Sequence, residues 1–163
     1  EVKDIFKAEE KAYPVLMQYQ RRNLQIVAAH GELQTIFGRI LPFTKYPTPL
    51  WKQEQTGIME EAKPTEVVNY PIQSTGSADL TLIMTGHFWR KYAIHNRDKY
   101  LMVNAVYDSL DLDCKPIYEE VLREHLKCLT DVKTVCYTYF RYKWLVNVKI
   151  DIKSGKNYHE VGL

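Results

Sequence analysis

The sequence predicts an α+β fold, and three observations carry that expectation. Across residues 73–92 the apolar side chains Leu80, Ile83, Met84, Phe88 and Tyr92 recur at helical offsets, the pattern of one long amphipathic helix. Residues 100–107 and 110–114 form two β-prone runs around a two-residue tip, the pattern of an antiparallel hairpin. Near the end, Val146, Val148, Ile150 and Ile152 alternate with polar residues, which suits a half-buried strand. Helices alternating with a small antiparallel sheet define α+β. With 163 residues, 45% of them hydrophobic, the chain has material for one ordinary domain and a real core.

The remaining elements follow in chain order. Residues 2–12 are rich in helix formers, and Pro14 is placed to open a second helix that runs to about His30, where Gly31 offers a stop. Within it Val15, Tyr19, Ile26, Val27 and His30 recur at roughly helical spacing. Residues 32–42 are β-branched and aromatic and are broken by Gly38, so they read as a short hairpin or an extended segment. Residues 44–64 carry Pro47, Pro49 and Pro64 with few periodic apolar positions, predicting a long loop with a helical turn around residues 57–62. Pro71 makes the entry to the long helix irregular. After the hairpin, Pro116 opens an amphipathic helix through Ile117, Val121, Leu122, Leu126 and Leu129. The aromatic run Tyr137, Tyr139, Phe140, Tyr142 and Trp144 alternates as in a packed strand, and its rings also offer base-stacking surfaces.

Composition narrows the function classes. A formal net charge of +2 permits contact with phosphates without the dense Lys/Arg patch of a dedicated nucleic-acid module. Three cysteines without a CxxC pair suggest neither a disulfide framework nor a zinc site, and a reducing cytoplasm fits them best. His87, His95 and His125 have no Cys or Asp at ligand spacing, so core or helix-surface roles are expected. No apolar run approaches the ~20 residues that span a bilayer, so no membrane association is expected. The chain opens at Glu1 without a methionine, as a piece of a larger protein does.

Two stretches carry more specific chemistry. The first is Asn69-Tyr70-Pro71-Ile72-Gln73-Ser74-Thr75-Gly76-Ser77-Ala78-Asp79-Leu80, and the second is Val106-Tyr107-Asp108-Ser109-Leu110-Asp111-Leu112-Asp113. In order and separation they resemble two consecutive palm motifs of family A DNA polymerases: the Asn-x-Pro-x-Gln element of a long helix, then the His-Asp-Glu hairpin. The Gln-Ser-x-Gly form at residues 73–76 resembles the phage enzymes of that family. Thr35-Ile36-Phe37-Gly38-Arg39 resembles its Thr-x-Phe-Gly-Arg element, and Gly155-Lys156-Asn157-Tyr158 its terminal Gly-x-x-Trp region, with Tyr for Trp.

The resemblance implies roles residue by residue. Asp108 corresponds to the carboxylate that binds the catalytic Mg²⁺ ions, in a two-metal reaction whose ions lie about 4 Å apart. Asn69 and Gln73 correspond to amides that probe the minor groove, where every correct pair offers acceptors in nearly the same place. Tyr107 stands where the family has His, with its hydroxyl directed to the primer terminus, and Ser109 stands where the family has Glu. Arg39 corresponds to a phosphate contact. In the cellular pattern an Asp follows the Gln by five positions; Asp79 follows Gln73 by six, and that role is not carried over.

Each of these residues also has a structural reading. Asp108 can favour a turn through side-chain bonds to the backbone. Asn69 can cap a helix whose first turn holds Gln73. Asp111 and Asp113 read as a solvated strand face rather than metal ligands.

The family's Asp-Tyr-Ser-x-Ile-Glu motif, source of its other catalytic aspartate, is absent from the sequence, as is its nucleotide-binding fingers helix. The resemblance therefore implies a C-terminal polymerase portion: residues 1–64 as fingers-to-palm helices and loop, residues 65–163 as palm core. Its Mg²⁺ site is completed from outside the chain, and it is inactive without the upstream part. The implied partners are primer-template DNA, deoxynucleoside triphosphates and that upstream part, in a bacterial host's cytoplasm if the chain is phage-encoded. A polymerase-derived DNA-binding or assembly module without catalysis is the alternative.

Overall fold

Pro14 opens the first helix, α1 (Pro14–His30), where its missing N–H costs nothing because the first helical donors have no partner within the helix. Gly31 closes it at φ 77°, a left-handed conformation that suits glycine, and its N–H donates to the Val27 carbonyl at 2.9 Å. The computed structural model describes Ala8 and residues 10–161. Of the helix expected over residues 2–12, Ala8 and residues 10–12 are helical and the rest lies outside the described residues. The chain divides into two compact units, Glu1–Gly76 and Ser77–Leu163.

The first unit continues with β1 (Glu32–Gln34) and β2 (Ile40–Pro42), paired Leu33 to Leu41, so of the two forms open to residues 32–42 the hairpin is the one adopted. Its loop is closed by Thr35 N–H to the Arg39 carbonyl at 2.8 Å and by Arg39 N–H to Thr35 Oγ1 at 3.2 Å. The segment expected to be a loop is a second hairpin, β3 (Lys45–Pro47) and β4 (Glu60–Ala62), with α2 (Leu50–Thr56) between its strands. The helical turn thus lies before Gly57, not after it. Gly57 at φ 71° ends α2, and the buried Thr48 ties the ends together by donating to the Met59 carbonyl at 3.1 Å. Helix α3 (Pro64–Gln73) follows. Val27, Leu33, Phe43 and Val67 form the core of this unit.

Pro71 does not mark the entry of a helix but lies inside α3, which begins at Pro64. A proline removes one backbone donor and crowds the preceding turn. Here a π-helical turn, Ser74–Asp79, follows directly, and the Ser74 N–H reaches both the Tyr70 and Pro71 carbonyls. Wider turns of this kind re-satisfy a ladder that proline disturbs.

In the second unit, α4 (Leu80–Lys91) buries Leu80, Met84 and Phe88 along one stripe. Burying each contributes roughly 2 kcal/mol. The hairpin β5 (Tyr100–Val106) and β6 (Ser109–Cys114) pairs Val106 with Ser109 and carries a bulge between Met102 and Asn104. Pro116 begins a single 3₁₀ turn, and α5 (Glu119–Leu126) then buries Leu122 and Leu126, while Ile117 is exposed. These elements share a core of Phe88, Ala93, Tyr100, Leu122, Leu126 and Cys128.

Two expectations fail here. The aromatic run is not a strand: residues 137–140 belong to α6 (Val132–Phe140), which buries Val132, Val135 and Cys136 and ends at Arg141 with φ 55°. Residues 146–152 form no strand either, although Val148, Ile150 and Ile152 are half-buried between exposed neighbours. The alternation is real, and Ile150 and Ile152 pack on the core. No described strand pairs with this segment, and β5 and β6 pair only with each other. A short helix, α7 (Tyr158–Val161), ends the described chain.

Candidate functional site

The tip of the β5–β6 hairpin consists of Tyr107 and Asp108. Tyr107 adopts φ 53°, is 87% exposed, and lets two residues reverse the chain. The turn is held by Ser109, whose Oγ donates to the Val106 carbonyl at 2.9 Å. Asp108 is exposed and makes no hydrogen bond or ion pair with any described residue. The turn-stabilising role open to this aspartate is therefore filled by its neighbour. What remains is a solvent-facing carboxylate with neither oxygen bonded to a described residue.

Below the tip, Asp111 accepts a hydrogen bond from the Tyr158 hydroxyl at 3.3 Å, and the Asp111 charge pushes the Tyr158 pKa up. Asp113 is exposed. The α7 turn that presents Tyr158 is fixed by reciprocal capping: Glu160 N–H donates to Asn157 Oδ1 at 3.0 Å, and Lys156 N–H donates to Glu160 Oε2 at 2.8 Å. Gly155 permits this fold-back, since a Cβ there would lie 2.7 Å from Glu160 Cβ.

In the other unit, Asn69 and Gln73 are four residues apart on α3 and therefore share one face. Both are exposed and spend no side-chain hydrogen bond on a described residue. The capping reading does not hold, because the N-cap position of α3 belongs to Lys63 and Gln73 is the last residue of the helix. Arg39 lies exposed in the β1–β2 loop beside Gly38, whose φ of 93° requires glycine.

The histidines have neighbours of another kind. His125 stacks on Tyr92 with centroids 4.2 Å apart, and its Nδ1 lies 2.7 Å from the Tyr100 hydroxyl. Burial lowers the His125 pKa and raises that of Tyr100 to about 12, so at neutral pH an uncharged phenol and an uncharged imidazole share this hydrogen bond. His87 meets Tyr139 edge-on, and burial, then Lys91 and Arg90, lower its pKa. Among the described residues no three His, Cys, Asp or Glu side chains are placed to hold a metal together. Cys114, Cys128 and Cys136 are free thiols, their pKa values raised by burial. No described helix is long and apolar enough to cross a membrane.

Compared with family models, curated proteins and solved structures, the chain matches none. Sequence reasoning missed α6, which sets Tyr139 beside Arg90 of α4, with the guanidinium carbon 5.1 Å from the ring centroid. The available signal was Val132, Val135 and Cys136 at helical spacing, masked by the alternation of the aromatics behind them.

Proposed function

We propose that the chain is the C-terminal portion of a phage-type family A DNA polymerase, supplying one catalytic carboxylate and two minor-groove amides to a template-directed nucleotidyl transfer. The observation that carries this reading is Asp108, an exposed carboxylate without a structural task at the tip of a two-residue hairpin. The unspent amides of Asn69 and Gln73 on one helix face support it.

The donor set fits Mg²⁺ in part. This ion retains several waters and takes one or two protein carboxylates, so Asp108 is suited to be one ligand while another comes from the upstream portion. When bound, the metal pair activates the primer hydroxyl and neutralises charge on the triphosphate. The chain's own residues position. Asp108 and the exposed Tyr107 form the hairpin tip, and Asn69 and Gln73 offer donors to acceptors common to all correct pairs. Arg39 offers a phosphate contact.

Ser109 favours a second reading. It replaces the family's glutamate, and its hydroxyl is engaged with Val106, so the tip carries one negative charge fewer. A polymerase-derived module that binds primer-template DNA without catalysis follows from that loss. Primer extension separates the two. Joined to an upstream portion bearing Asp-Tyr-Ser-x-Ile-Glu, the chain extends a primer with deoxynucleoside triphosphates and Mg²⁺, and alone it does not. Failure of the joined protein, with DNA binding retained, selects the binding module, and extension by the isolated chain overturns the partial-site reading.

A further inference from the structure

Within the second unit, α4 and α6 leave a groove of about 360 Å³ lined by Leu82, Ile83, Gly86, Arg90, Tyr139 and Phe140. Gly86 keeps its floor low, and Arg90 folds back over it, its Nη1 being 3.5 Å from where a Gly86 Cβ would stand. The rings are accessible, with Tyr139 48% and Phe140 41% exposed. Arg90 lies against Tyr139, and Arg141 lies 5.8 Å from the Tyr137 ring centroid.

Charge is sorted toward this region. Residues 80–91 and 132–143 contain Arg90, Lys91, Lys133, Arg141 and Lys143 and neither Asp nor Glu. Of the 22 Lys/Arg and 20 Asp/Glu in the chain, the remaining residues therefore keep 17 basic against 20 acidic. The two segments thus hold an excess of five positive charges in a chain whose net charge is +2. Asp131 precedes α6 as the nearest acid in sequence, and Asp79 is buried. Burial is the main cause that lowers the His87 pKa; Lys91 and Arg90 add to it and Asp131 opposes it, so the cations are felt at this ring without dominating it.

Exposed aromatic rings interleaved with cations, with Asp131 the neighbouring carboxylate that opposes them at His87, suit one ligand chemistry: unpaired bases that stack, on a backbone of phosphates. We infer that the α4–α6 groove binds single-stranded nucleic acid, Tyr139 stacking a base and Arg90 holding a phosphate. An acidic peptide satisfies the cations but has no use for the rings. The inference stands apart from the polymerase reading, because it uses neither Asp108 nor the minor-groove amides.

The test is fluorescence anisotropy of the 163-residue chain with a labelled oligothymidylate of about 12 nucleotides, a length within the usual site sizes, titrated at several salt concentrations. Tyr139→Ala weakens binding about 10-fold with an unchanged salt dependence, and Tyr139→Phe restores it. Arg90→Gln, which keeps most of the side-chain stem, weakens binding and lowers the slope of log K against log salt by about 0.7, the share of one phosphate on a single strand. Lys45→Gln, a charge removal in the other unit, leaves affinity where it was. Absence of binding, wild-type binding by both Tyr139→Ala and Arg90→Gln, or displacement of the oligonucleotide by polyglutamate as effectively as by unlabelled oligothymidylate overturns the inference.

Discussion

On the polymerase reading, replacing Asp108 by Asn separates catalysis from folding. The side chain keeps its size and its preference for turns, and it is exposed, with no hydrogen bond or ion pair to a described residue to lose. Exposed substitutions of this kind stay within about 0.5 kcal/mol, which moves a melting temperature by about 1 to 2 °C in a chain of this length. The catalytic effect belongs to another scale. One unit charge about 4 Å from another, at the screening typical of a protein surface, is worth about 4 kcal/mol. Each 1.36 kcal/mol on a barrier is tenfold in rate, so removing that charge beside a metal slows incorporation by about 10³-fold. The assay is single-turnover incorporation of one nucleotide by the complete polymerase in Mg²⁺, beside a primer-template titration at one fixed salt concentration, since binding itself depends on salt. Incorporation falls by that factor while DNA affinity and melting temperature hold. Near-normal incorporation by the Asn variant refutes the assignment of Asp108 as a metal ligand.

Gln73→Ala in the complete enzyme lowers incorporation after a correct pair by ~1 to 2 kcal/mol, the scale of one neutral hydrogen bond, and mismatch extension read in the same assay changes its ratio to correct extension. Phe88→Ala empties the centre of the second unit's core, where Phe88 is fully buried against Tyr100 and Tyr92, and destabilises it by about 3 to 5 kcal/mol in a denaturant titration. Stability also depends on pH through His125 and His87, whose folded pKa values lie below the ordinary 6.5. The unfolded chain binds those protons first, so their contribution is complete above 6.5 and declines as pH falls from there toward the folded values. Denaturation midpoints at pH 7.5 and 5.5 read the difference, and a higher midpoint at 5.5 contradicts the assignment of both rings as neutral.

Periodicity located the elements that bury a stripe or an alternating face. Leu80, Met84 and Phe88 announced α4, the runs around Tyr107 and Asp108 announced the β5–β6 hairpin, and Gly31 announced the end of α1. What escaped was set by partners distant in sequence. Whether Val148, Ile150 and Ile152 form a strand depends on backbone pairing with a segment distant in sequence, which local alternation does not report. Prolines misled in both directions, since Pro64, read as the end of a loop, opens a helix and Pro71 is carried within that helix. In the candidate site, motif order picked out Asp108, Asn69 and Gln73. That their side chains have no structural duty depends on how Ser109 and Lys63 are placed, and became visible only with coordinates.

Tyr107 gives the hairpin tip a tension between durability and use. A bulky side chain in the left-handed region costs about 1 to 2 kcal/mol that glycine avoids, and this ring recovers little of it because it stands almost wholly in solvent. Tyr107→Gly is thus expected to make the isolated protein more resistant to denaturant. If the ring instead meets the primer terminus in the assembled enzyme, the same change weakens primer positioning. An engineer selecting this chain for thermal robustness would remove the residue that a screen for extension retains.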